Sequence, residues 1–137
     1  MMLMNQILKK RLADIFRSKK GISAAYLIGS YSKGKERSDS DFDLAVLVDD
    51  KKVLGDEKVY EYIRHLPFPK DLDLSVADRK SSPLFLFEII RGERIYERNK
   101  EEMADFEAKV LHKYYDTGYL RKIYYSYLTD KFPRAHQ

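Results

Sequence analysis

The sequence predicts an α/β domain, a small mixed sheet packed with helices, and three observations carry that prediction. Phe42 to Val48 is nearly unbroken in apolar residues, as befits a strand covered on both faces. Asp71 to Val76 alternates polar with apolar residues, the period of a half-buried strand. Between and around these runs lie segments whose apolar residues return every three or four positions, the spacing of amphipathic helices.

Taken in order, the first helix carries Leu3, Ile7, Leu8, Leu12, Ile15 and Phe16 on its apolar stripe, and Lys19-Lys20-Gly21 closes it. Ala24 to Ile28 then reads as a short buried strand that Gly29 stops. Phe42 to Val48 is the second strand, followed by the solvated turn Asp49-Asp50-Lys51-Lys52. A helix between Asp56 and Leu66 buries Val59, Tyr62, Ile63 and Leu66 and is closed by Pro67 and Pro69. Asp71 to Val76 is the third strand. Ser82-Pro83 supplies an N-cap and a proline at the first helical position, opening a helix from Leu84 to Arg91 that Gly92 ends. Arg94 to Tyr96 fits a short edge strand. Met103, Phe106, Val110 and Tyr114 mark the next helix, and Leu120, Ile123, Tyr124 and Tyr127 mark a last one after a break around Gly118.

A chain of 137 residues, 44% of them hydrophobic, can bury one core, so residues 1–137 are expected to form a single domain. The absence of cysteine leaves no disulfide framework, and the apolar run at the N-terminus is too short for a signal peptide or a membrane span. The expected location is cytoplasmic. Asparagine and glutamine occur only as Asn5, Gln6, Asn99 and Gln137 while 35% of residues are charged, a balance associated with proteins of hot environments.

Charge is unevenly placed. Residues 1–37 carry nine basic and two acidic side chains, residues 38–78 five and eleven, and residues 79–137 twelve and nine. The acidic middle contains Asp39, Asp41 and Asp43, set at alternate positions where the second strand begins. Carboxylates so crowded repel one another, and burying them needs cations or water. Asp41 and Asp43 project to one side of the strand, roughly 6–7 Å apart along the backbone. Asp39 shares their parity but precedes the strand and suits a turn. If the third strand lies beside the second, Asp73 completes a cluster of three carboxylates; Asp71 has the same parity, but Asp73 sits deeper in the strand. Such a cluster can share magnesium ions and support two-metal phosphoryl or nucleotidyl transfer. Upstream, Gly29 lets the backbone approach a phosphate, Ser30 offers an amide and a hydroxyl, and Lys33 and Lys35 add positive charge.

Gly29-Ser30, ten intervening residues and Asp41-Phe42-Asp43 resemble the GSx10DxD signature of the DNA polymerase β-like nucleotidyltransferases, and Ser40 to Leu44 resembles their SDxDL form. The short chain is similar in particular to the minimal nucleotidyltransferases, the MntA-like antitoxins of HEPN/MNT toxin-antitoxin pairs. A weaker similarity continues through Asp73, Gly92 to Tyr96 and Tyr114-Tyr115-Asp116. The resemblance implies the polymerase β-like nucleotidyltransferase fold and an enzyme that uses ATP and two Mg2+ ions per site to transfer AMP onto a tyrosine of a partner HEPN ribonuclease toxin. By the same resemblance Gly29, Ser30 and Lys33 would bind the nucleotide, Asp41 and Asp43 both metals, and Asp73 the catalytic metal and the attacking hydroxyl. Lys33 stands where family members often carry the arginine of GSxARG, which keeps the charge and loses the bidentate fork.

Two other readings stay open. A non-catalytic antitoxin would neutralise its partner by binding alone, and a nucleotidyltransferase of this type could act on a small molecule. Six tyrosines lie between Tyr114 and Tyr127; half or more are expected to pack at helical spacing, with Tyr115 and Tyr125 as interface candidates. His65, His112 and His136 are too scattered for a zinc site. The basic N-terminal helix reads as a solvated face, so neither nucleic acid nor membrane is an expected partner.

Overall fold

The computed structural model describes residues 2–29 and 42–131. Its elements are α1 (Met2–Arg17), β1 (Ile22–Leu27), β2 (Phe42–Val48), α2 (Asp56–Ile63), β3 (Leu72–Ala77), α3 (Pro83–Ile90), β4 (Glu93–Glu97), α4 (Lys100–Tyr114) and α5 (Thr117–Lys131). The four strands form one sheet in the order β3-β2-β1-β4. β1 runs antiparallel to both β2 and β4, whereas β2 and β3 are parallel and are joined by a crossover that contains α2. The expected α/β domain with a mixed sheet is what the chain forms.

The central strands explain the layering. Residues on β2 alternate between two separate cores: Leu44, Val46 and Val48 join one, Ala45 and Leu47 the other. The first core takes Leu8, Leu12 and Phe16 from α1 and Val59 and Ile63 from α2; the second takes Leu86, Phe87 and Ile89 from α3 and Met103, Phe106 and Val110 from α4. Helices therefore cover both faces, which is why β2 needed the unbroken apolar run. On β3, Leu72, Leu74 and Val76 turn to the first core, leaving Asp73, Ser75 and Ala77 on the α3/α4 face.

The helix starts follow from local chemistry. The Ser82 side chain accepts from the Phe85 amide at 3.1 Å with Pro83 behind it, and the Asn99 side chain accepts from the Glu102 amide at 2.8 Å. At one end of the sheet Arg98 donates from both terminal nitrogens to the two oxygens of Asp49, each at 2.9 Å, pinning the end of β2 to the segment after β4. That hydrogen-bonded pair, more than its Coulomb attraction, holds the Asp49 carboxyl below the usual aspartate range.

Three expectations shift in detail. β1 spans Ile22–Leu27 rather than Ala24 to Ile28, because a bulge between Ile22 and Ala24 lets pairing with Val48 continue past an interruption in the alternation. The break between the last two helices falls at Tyr115-Asp116, and Gly118 lies within the first turn of α5. Tyr114 packs as expected, stacking on Phe87 with ring centroids 3.7 Å apart; Tyr124 and Tyr127 are more than half exposed, as are the interface candidates Tyr115 and Tyr125. Among the described residues α5 packs chiefly on α4. No helix among the described residues is long and apolar enough to cross a membrane.

Candidate active site

The site assembles where β1 ends and β2 and β3 begin. Parallel pairing sets Asp43 directly across from Asp73. Paired residues on neighbouring strands lie about 4.8 Å apart in the hydrogen-bonding direction with side chains on the same face. Both carboxylates thus stand on the α3/α4 side, Asp43 half-buried and Asp73 exposed. Asp71, the competing candidate, precedes β3, and its carbonyl accepts from the Phe42 amide at 2.8 Å, locking the strand register. Of the two aspartates, Asp73 is the one in register with Asp43.

Gly29 closes the arrangement from the other side. The Ile28 amide donates to the Asp43 carbonyl at 3.0 Å, which keeps the chain beside β2 as it leaves β1. Gly29 then takes φ +77°, a left-handed conformation that glycine adopts without penalty. A Cβ there would lie 2.8 Å from Asp43 Oδ2, so the bare backbone is seated against the carboxylate. Ser30, Lys33, Asp39 and Asp41 lie outside the described residues.

Asp43 and Asp73 are two carboxylates at one end of the sheet, and among the described residues no group of three acids or histidines is gathered to hold a metal ion. The pair nevertheless fits magnesium, which binds through one or two carboxylates plus substrate phosphates and retains several waters. The glycine beside them leaves room for a phosphate to approach the backbone.

Two supports of this corner escaped the sequence reading. Gly92 follows the end of α3, as its place in the sequence suggests, and a Cβ on it would also overlap the Leu27 carbonyl oxygen and come within 2.8 Å of Ile28 Cγ2. The turn after α3 therefore lies directly on the chain that leads into Gly29. Nothing in the local pattern distinguishes such a contact from an ordinary helix stop. Second, the buried Tyr26 donates from its hydroxyl to Glu107 Oε2 at 2.6 Å, and Arg94 Nη1 donates to the same oxygen at 2.7 Å. Burial, reinforced by the Glu107 contact, pushes the Tyr26 hydroxyl well above the usual tyrosine range. This triad joins β1, β4 and α4 on the face that carries the two aspartates.

The profile of the polymerase beta nucleotidyltransferase family matches residues 10–101, a span that includes Gly29, Asp43, Asp73 and Gly92. No curated protein matches the chain. Among solved structures, a toxin-antitoxin crystallised with AMP-PNP aligns with 23% identity and a TM-score of 0.66, covering 89% of this chain and 96% of that chain. A mutant of the MntA-HpeT toxin-antitoxin aligns with 22% identity and a TM-score of 0.67 over the same shares, 89% and 96%. A complex of the tri-AMPylated Shewanella oneidensis HEPN toxin with its MNT antitoxin aligns with 20% identity and a TM-score of 0.57, covering 91% of this chain and 96% of that chain. What these share with the chain is the fold.

Proposed function

This chain belongs to the polymerase beta nucleotidyltransferase family, and from that premise we propose that it transfers AMP from ATP to a tyrosine hydroxyl of a HEPN toxin and acts as that toxin's antitoxin. The observation that carries the proposal is the pairing of Asp43 with Asp73 against the Gly29 backbone. Support comes from the aligned structures: one holds AMP-PNP, and in another the toxin bound to the antitoxin carries AMP groups.

In this reading the acceptor oxygen attacks the α-phosphorus of ATP, the bond from that phosphorus to the bridging oxygen breaks, and pyrophosphate leaves. Asp73, exposed at the start of β3, faces the incoming hydroxyl and accepts its proton. Asp41 and Asp43 would hold magnesium with Asp73, and the metal would supply positive charge to the phosphates and the attacking oxygen. Gly29 and Ser30 present backbone and hydroxyl donors to the triphosphate, and Lys33 adds charge beside the leaving pyrophosphate.

The test is transfer of labelled AMP to a co-purified HEPN toxin. Asp43→Asn should lower the rate at least about a hundredfold, because it removes a charge from the metal pair, while the dichroism spectrum and toxin binding stay unchanged. Transfer at the wild-type rate would defeat the assignment. A second reading, neutralisation by binding alone, is favoured by the face of α5 on which Leu120, Tyr124 and Tyr127 stand exposed at helical spacing. The double variant Asp41→Asn with Asp43→Asn separates the two: continued protection of cells expressing the toxin would support binding without catalysis.

A further inference from the structure

The opposite end of β3 leads into a surface that the transfer reaction does not use. Arg79 and Lys80 follow Ala77, the last residue of β3, and line a cavity of about 690 Å³ with Phe106, Lys109 and Lys113 of α4. Lys109 and Lys113 also line a second cavity of about 970 Å³, between α4 and α5, with His112, Arg121 and Lys122. The two cavities share Lys109 and Lys113 and so adjoin along α4 as a two-part groove. Six side chains of fixed positive charge face it, and Asp116 is the one acidic residue among its lining. Among the described residues Lys109 pairs with Asp105 at 3.0 Å and Arg79 with Glu102 at 3.8 Å.

Like charges held this close repel, and the cost is relieved when an anion enters. The composition indicates what kind. Four of the six are lysines, a residue depleted from protein interfaces but suited to phosphate as a mobile point charge. Lys109 and Lys113 stand one helical turn apart and so repeat along the groove, whereas a single phosphate would need one focus. Tyr125, more than half exposed, lies one turn beyond Arg121 on the same side of α5 and offers a ring for stacking.

We propose that this groove binds single-stranded nucleic acid. Backbone phosphates run along the lysines of α4, and a base stacks on Tyr125. The sequence argument against nucleic acid concerned the basic N-terminal helix; the cations of this groove lie elsewhere, in three separate segments, 79–80, 109–113 and 121–122. Folding brings them onto one track. The groove is independent of the transfer chemistry, since Arg79 and Lys80 lie beyond the end of β3 remote from Asp73.

The test is fluorescence anisotropy of a labelled oligouridylate titrated with the full chain between about 50 and about 200 mM salt. Wild-type protein should bind with a log-log salt slope of about −3, corresponding to roughly four phosphate contacts. Lys109→Glu combined with Lys113→Glu should weaken binding at least about tenfold and flatten the slope by about 1.4, and Tyr125→Ala should weaken it about fivefold with the slope unchanged. AMP transfer by the double lysine variant should stay at the wild-type rate. Lys122→Glu, on the exposed α5, serves where the double variant loses its dichroism signal. Absence of salt-dependent binding, or variants that bind like the wild type, would overturn the proposal. So would displacement of the oligonucleotide by polyglutamate at equal charge concentration, which would make an acidic polypeptide the occupant.

Discussion

Replacing Gly29 with alanine tests the site at one atom. Two costs arise, and they can be separated. The first is backbone strain: an L-residue held at φ +77° loses about 1–2 kcal/mol relative to glycine. In a chain of this size that lowers the melting temperature by roughly 3–10 °C. The second is steric, because the new Cβ would stand 2.8 Å from Asp43 Oδ2 where ordinary contact begins at 3.4 Å. The carboxylate must retreat by about 0.6 Å, and displacements on the order of 1 Å can cost a hundredfold in rate. Gly21→Ala provides the control. Gly21 sits at φ +89°, but a Cβ there meets only Leu54 Cδ2 at 3.6 Å, so it incurs the strain without the displacement. Both variants should melt at similar reduced temperatures by calorimetry. In the AMP-transfer assay, run well below those temperatures, Gly21→Ala should keep wild-type activity and Gly29→Ala should lose about tenfold to a hundredfold. Equal activity in the two would refute the argument that Gly29 sets the position of Asp43.

Gly92→Ala should be the more damaging glycine substitution, since its Cβ meets backbone that cannot swing aside; a loss of about 1–3 kcal/mol in urea unfolding is expected, together with reduced AMP transfer. For Tyr26 the sign of the pH effect follows from its raised folded-state value: the unfolded chain ionises near pH 10 while the folded one keeps its proton, so this contribution to stability is present below pH ~10 and is lost as pH rises further. Tyr26→Phe should cost about 0.5–1.5 kcal/mol at neutral pH through the lost Glu107 hydrogen bond and should make the alkaline decline shallower, as read from urea unfolding across that range.

Much of the fold was legible because its signals are local. The apolar run of β2 gave away a strand covered on both faces, Ser82-Pro83 announced a helix start, and the alternation of β3 placed Asp73 on the face opposite Leu72, Leu74 and Val76. The site was legible in part for the same reason: the spacing from Gly29-Ser30 to Asp41 and Asp43 is a property of the chain. Choosing Asp73 over Asp71 was harder, since parity is identical and only the register with β2 separates them. The tyrosines of α5 misled because helical spacing shows that a stripe exists, not that anything covers it.

By itself the sequence determined which segments become strands and helices and which carboxylates could meet, since dihedral preference and side-chain parity are settled over a few residues. Only the tertiary structure decided that Asp43 faces Asp73 across a parallel pair, that Gly92 presses on the Leu27 carbonyl, and that cations from three segments share one groove. Those relations depend on how elements pack at distances along the chain far beyond the reach of any local pattern.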